Sequence, residues 1–195
     1  MNRTRPYLTA LLACLAFALA HAQAWEPYAF QGDERFEYVI HGSGQDEVIY
    51  ILDIRREGEE NGEARYRVSY TTESVVTASQ LGADMAFGGA FGMSLNMAIL
   101  NPMYMMFMGP MFGDLEWEVG ERLSLFGMGR MTITGTETVA GHEGFVVQFE
   151  SGQGDERELA AEWVINPEIA LPLRSRTYER GEVAMEAVLR SYQRY

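Results

Sequence analysis

The sequence predicts a mainly β fold: a curved antiparallel sheet, a half-barrel or open barrel, whose concave face is covered by a short helical, Met- and Gly-rich apolar insert. Three observations predict it. Apolar and polar residues alternate with period two through both halves of the chain, the pattern of strands with one buried face. The alternating runs are separated by short turns containing Gly, Asn or Pro, the connections of neighbouring antiparallel strands. Between the two halves, helical spacing replaces alternation in a stretch from Met85 to Gly113 that holds no charged residue. At 195 residues the chain supports one domain with a sizeable core.

The first element stands outside that domain. Arg3 and Arg5 precede an apolar run over 8–20, and the small-x-small triplet Ala22-Gln23-Ala24 follows, the three-part pattern of a secretory signal. Residues 1–24 are therefore expected to be cleaved after Ala24, leaving a single β-rich domain over 25–195 that is periplasmic or secreted. The only cysteine, Cys14, lies inside the run, where Leu11-Leu12-Ala13-Cys14 imitates a lipoprotein processing site. Only about six apolar residues would precede that cut, fewer than the roughly 7–15 of a usual signal core. Apolar residues also continue through Leu19 where a polar tether belongs, so anchoring at Cys14 is not expected. After cleavage at Ala24 no thiol remains, which excludes disulfides, Cys-ligated zinc and a cysteine nucleophile.

The strands follow in order. Phe36, Tyr38 and Ile40 alternate with polar neighbours, Gly42-Ser43-Gly44 supplies a turn, and 48–54 is a β-branched apolar run. The acidic stretch 57–63 reads as a solvated loop tip around Asn61-Gly62, a favoured I′ turn, and leads into a third strand over 66–76. After Gly113 a meander resumes over 123–126, 131–139, 145–149, 159–165, 173–178 and 183–192. Leu159, Ala161, Trp163 and Ile165 share one face of their strand. About nine antiparallel strands curl under their own twist into a barrel or half-barrel.

The insert, at about 78–113, is the most unusual segment. Eight of the twelve methionines lie in its charge-free part. Phe87, Phe91, Leu95 and Ile99 recur every four residues, near one helical face, until Asn101-Pro102 ends the helix. Met103, Met105, Met106 and Met108 fall in a second short helix stopped by Gly109-Pro110. These eight side chains are the candidate ligand-binding residues, an apolar lid of adaptable shape. Crowded thioethers also suit Cu(I), but no His or Cys accompanies them, so no metal is assigned. A membrane span is interrupted by Asn96, Asn101 and Pro102.

Charge and motifs narrow the function classes. Acidic residues number 28 against 15 basic ones, all Arg, for a formal charge of -13. This repels phosphate backbones, so no nucleic acid partner is expected. The Gly-x-Gly pieces at Gly42, Gly127 and Gly152 are hairpin turns without the strand-to-helix context of a phosphate loop. Ser94 is one glycine short of a nucleophile elbow and sits within the expected helix. His41 and His142 lack metal-ligand spacing and read as structural or exposed. No catalytic residue and no cofactor is assigned, and the protein is not expected to be an enzyme.

The second half carries a family likeness in 133–141, in Glu162-Trp163-Val164-Ile165-Asn166-Pro167, and in Leu171-Pro172-Leu173-Arg174. Together with the arrangement of strands over 34–192, these segments resemble the periplasmic LolA/LolB-like superfamily, carriers built on a curved antiparallel half-barrel covered by helices. The resemblance implies a concave sheet face that holds acyl chains or other hydrophobic ligands in the cell envelope. The expected function is thus an exported protein that binds or carries a hydrophobic small molecule or lipid. The alternative is an envelope interaction or scaffold protein that uses the apolar insert to contact a membrane or a membrane protein.

Overall fold

The computed structural model of the chain describes residues 30, 32–42, 47–75, 77, 116–125, 129–152 and 156–195. Their backbone forms nine strands: β1 Glu34–Gly42, β2 Val48–Glu60, β3 Glu63–Ser74, β4 Arg122–Leu125, β5 Gly129–Val139, β6 His142–Ser151, β7 Glu158–Ile165, β8 Arg174–Glu179 and β9 Glu182–Arg194. All nine belong to one sheet, in the order β3-β2-β1-β9-β8-β7-β6-β5-β4, and every neighbouring pair is antiparallel. Two meanders, β1 to β3 and β4 to β9, are joined where the first strand meets the last, from Glu34 opposite Arg194 to Gly42 opposite Met185. The sheet is open and half-barrel-like, with β3 and β4 as its edges.

The strands stand where alternation places them, several extending a few residues beyond the expected bounds. The expected helical insert lies outside the described residues, and among those residues there is no α-helix. The leader expected at 1–24 and Cys14 lie outside them as well.

Three hairpins turn on two residues with positive φ at both: Asn61 (55°) and Gly62 (83°), Ala140 (52°) and Gly141 (83°), Arg180 (54°) and Gly181 (80°). This is I′ geometry, whose twist matches that of the flanking strands, and glycine enters it without a Cβ penalty. The Asn-Gly turn is as expected, but the acidic stretch around it is not a loop. Glu57, Glu59 and Glu60 continue β2 and Glu63 opens β3, because a two-residue turn lets pairing run up to the tip. Arginines offset the acids: Arg67 pairs with Glu57, Arg65 Nη1 lies 3.1 Å from Glu60 Oε2, and Arg56 Nη2 lies 2.6 Å from Glu59 Oε1. All are solvent-exposed, so each pair adds at most about 1 kcal/mol. The ribbon projects past β1, which pairs with β2 only from Val48 to Ile54.

Burial follows the alternation in β1 and β2. Phe36, Tyr38 and Ile40 are buried, as are Val48, Tyr50, Leu52 and Ile54, and they pack with Ala187 and Leu189 of β9. The connection 166–173 between β7 and β8, expected to be little more than a turn at Asn166-Pro167, adds Ile169, Ala170, Leu171 and Leu173 to this cluster. Each large apolar side chain so buried contributes roughly 1.5–3 kcal/mol relative to exposure. Tyr38 Oη donates to the Pro172 carbonyl at 2.7 Å, which holds the connection against β1. A second cluster gathers Trp117, Met131, Ile133, Val147, Ala161, Trp163 and Ile165. β7 belongs to both, for Val164 packs in the first cluster, and every residue from Ala161 to Ile165 is buried.

Candidate functional site

The register of the strands assembles a row that no single segment reveals. Val48 lies opposite Ile40, Ile40 opposite Ala187, Ala187 opposite Ser175, Ser175 opposite Trp163, Trp163 opposite Val147, and Val147 opposite Ile133. Directly opposed residues share a face, so one line of side chains crosses seven strands on one side of the sheet. All seven are buried, and only Ser175 is polar. Rings flank the line: Phe36 and Tyr192 lie 4.9 Å apart, and Trp117 stacks on Phe145 at 5.4 Å.

The adjacent residues form a second row on the opposite side. Thr132, Gln148, Glu162, Arg176, Glu186 and His41 are successive cross-strand partners. Gln148 Nε2 donates to Glu162 Oε2 at 2.9 Å, and Arg176 Nε donates to Glu186 Oε1 at 2.6 Å. Arg174, one position along, donates from Nη2 to Glu162 Oε1 at 2.8 Å and from Nη1 to Glu137. The lattice thus ties five strands, β5 to β9, through three carboxylates and two guanidiniums. Glu162 and Arg174 each expose only 10 % of their side chains. Arg174 Nε is buried without a hydrogen-bond partner, between Val164 and Val188 along its row. Burial works against the charge of Arg176, but the hydrogen bond and charge of Glu186, with Glu162 and Tyr178 behind, outweigh it and raise its pKa. Chemically this is a register clamp, in which each acid is engaged by a partner on another strand.

Two tyrosines on the apolar side are held neutral. Burial, with the neighbouring Tyr50 next, pushes Tyr38 well above the ordinary phenol range, and burial followed by Tyr70 pushes Tyr50 upward. His142 packs edge-on to Tyr192 at 5.7 Å, and His41 is exposed at the end of β1. Among the described residues no three His, Cys, Asp or Glu side chains form a group able to hold a metal, and no helix is long and apolar enough to cross a membrane.

The candidate lid residues Phe87, Phe91, Leu95, Ile99, Met103, Met105, Met106 and Met108 all lie outside the described residues. Among the described ones, sequence reasoning found Trp163 and its face but missed Glu162 as a buried charge and Ile169 to Leu173 as core. The signal for the first is a lone acid between apolar neighbours in Ala161-Glu162-Trp163, and for the second the run Ile169-Ala170-Leu171-Pro172-Leu173. No family model, no curated protein and no solved structure matches the chain.

Proposed function

We propose that the protein is an exported cell-envelope protein that binds or carries a hydrophobic ligand, a lipid or acyl chain, between the apolar side of its sheet and the segment at about 78–113. The observation that carries this reading is the buried row from Val48 to Ile133 on one side of a single-layer sheet. Topology supplies the second half of the argument. β3 and β4 are the outermost strands, so the chain between Ser74 and Arg122 has to travel from one edge of the sheet to the other. That connection contains the charge-free run from Met85 to Gly113. A run without charge that crosses a sheet is accommodated at least free-energy cost over the apolar side. Its unbranched Met side chains would repack around acyl chains of different shape, where β-branched residues would fix one. The likeness of 133–141, 162–167 and 171–174 to LolA/LolB-like carriers agrees with this reading, and the leader at 1–24 supports the envelope location.

The test uses a fluorescent fatty-acyl probe that accepts energy from tryptophan. Trp163 and Trp117 belong to the apolar cluster, so a probe seated over this side should quench their emission as it binds. Replacing Phe91 and Met106 together by Asp should abolish uptake and leave the β circular dichroism spectrum unchanged. Absence of uptake by the unaltered protein, with the paired substitution unfolding it, would make the segment ordinary core and remove the carrier reading. A need for detergent to keep the unaltered protein in solution would favour contact with a membrane or a membrane protein instead.

A further inference from the structure

Among the described residues β3 leaves one edge of the sheet open. β3 runs for 12 residues without a proline and is exposed along its length apart from Tyr66, with Val68 45 % and Tyr70 56 % accessible. Its only strand neighbour among the described residues is β2. The irregularity in the β2–β3 ladder falls on β2, between Arg56 and Gly58, so β3 itself keeps a regular alternation. Edges that avoid association are short, bulged, interrupted by proline or charged; β3 is long, regular and free of proline, and its charges, Glu63, Arg65, Arg67 and Glu73, are of both signs, so they can pair across a two-fold axis rather than only repel.

The turn determines which backbone groups face outward. Because Asn61-Gly62 is a two-residue I′ loop, Glu60 and Glu63 form the first hydrogen-bonded pair. Odd-numbered residues of β3 therefore direct N–H and C=O to β2, and the even-numbered ones, from Ala64 to Ser74, direct theirs to the open edge. Ile54 lies opposite Val68 and Leu52 opposite Tyr70, so the even side chains stand on the apolar side of the sheet.

We propose that two copies of this chain associate by antiparallel pairing of β3 with β3, centred on Ser69. In that register Val68 of each copy lies opposite Tyr70 of the other as a hydrogen-bonded pair, and Tyr66 lies opposite Thr72. On the other side Arg65 faces Glu73 and Arg67 faces Thr71. Each pairing occurs twice, and none places like charges together. Glu73 makes no ion pair among the described residues, whereas Arg65 holds Glu60 at 3.1 Å and has further donors to offer. A shift by one residue, centring on Val68, would oppose Glu63 to Glu73, so charge selects against it. The pairing continues the buried apolar side across two subunits and covers the most exposed apolar residues of β3.

The mature-length chain at about 0.15 M salt, where screening length is roughly 8 Å, should show twice the monomer mass in sedimentation equilibrium as concentration rises. The register is tested by cross-linking, with Cys14 replaced by Ala if the leader is retained. Ser69→Cys should form an intermolecular disulfide in air, because a non-hydrogen-bonded antiparallel pair brings Cα atoms to about 4.5 Å. Thr71→Cys should not, since the two copies of that position lie about 13 Å apart along the strands. Glu73→Arg should weaken the dimer by at least about tenfold, and adding Arg65→Glu should restore it. Tyr70→Pro, which removes an outward N–H and no bond to β2, should leave a folded monomer. A monomer at all concentrations overturns the proposal, as does a dimer in which Ser69→Cys fails to cross-link or Thr71→Cys cross-links equally well.

Discussion

β7 and β3 carry the same kind of sequence and have opposite fates. Both place apolar residues at every second position, Leu159, Ala161 and Trp163 in one and Tyr66, Val68 and Tyr70 in the other, with a charged residue between two of them, Glu162 and Arg67. In β7 even the polar member is buried, while in β3 even Val68 and Tyr70 are accessible. The difference is position in the sheet. β7 has strands on both flanks and side chains packed on both sides, Trp163 in one cluster and Val164 in the other. β3 has a strand on one flank only among the described residues and extends, with β2, past the end of β1. Alternation decides which side chains share a side of the sheet, and the topology decides whether that side is covered.

The comparison predicts a steep gradient of mutational cost. The largest effects belong to β7: Trp163→Ala should destabilise by about 3–5 kcal/mol through lost burial and a residual cavity. Glu162→Ala should reach a similar size, because it strands Arg174, which is nine-tenths buried, without one of its two acids. Urea denaturation of each variant would measure both, and a loss under about 1 kcal/mol for Glu162→Ala would show that the clamp is dispensable.

Next in size is Gly144→Ala on β6. A Cβ there would meet the Ile165 carbonyl oxygen at 2.9 Å and Val164 Cγ1 at 3.0 Å, and a backbone neighbour does not yield as a flexible side chain does. The expected cost is about 1–3 kcal/mol, visible as a lower denaturation midpoint.

Alkaline pH probes the other half of the sheet. Tyr38 and Tyr50 keep their protons in the folded protein at pH values where the unfolded chain has lost them. The folded state then binds more protons than the unfolded one, so stability is complete below about pH 10 and falls above it. The slope is about 1.4 kcal/mol per pH unit for each tyrosine. Replacing both by Phe should flatten the profile above pH 10, at the expense of the Tyr38 hydrogen bond to Pro172. An unchanged profile would place the alkaline weakness elsewhere.

The smallest effect belongs to β3. Val68→Ala, measured at a concentration where the chain is monomeric, should change stability by less than about 0.5 kcal/mol. A loss as large as that of Trp163→Ala would break the comparison by showing that β3 is covered in solution.

What the sequence by itself determined is local. Period-two alternation and β-branched apolar runs between short turns marked the strands, and Asn61-Gly62 marked an I′ hairpin, because these are properties of residues a few positions apart; that Ala140-Gly141 and Arg180-Gly181 adopt the same turn came from the structure. Only the tertiary structure decided that β1 lies against β9, that β3 and β4 are opposite edges, and that Glu137, Glu162, Arg174, Arg176 and Glu186 meet. It also decided that Ile169 to Leu173 are core rather than connection. Those outcomes depend on register between residues far apart in the chain, as when Phe36 comes to face Tyr192, and a one-residue slip in any ladder would send each of those side chains to the other side of the sheet.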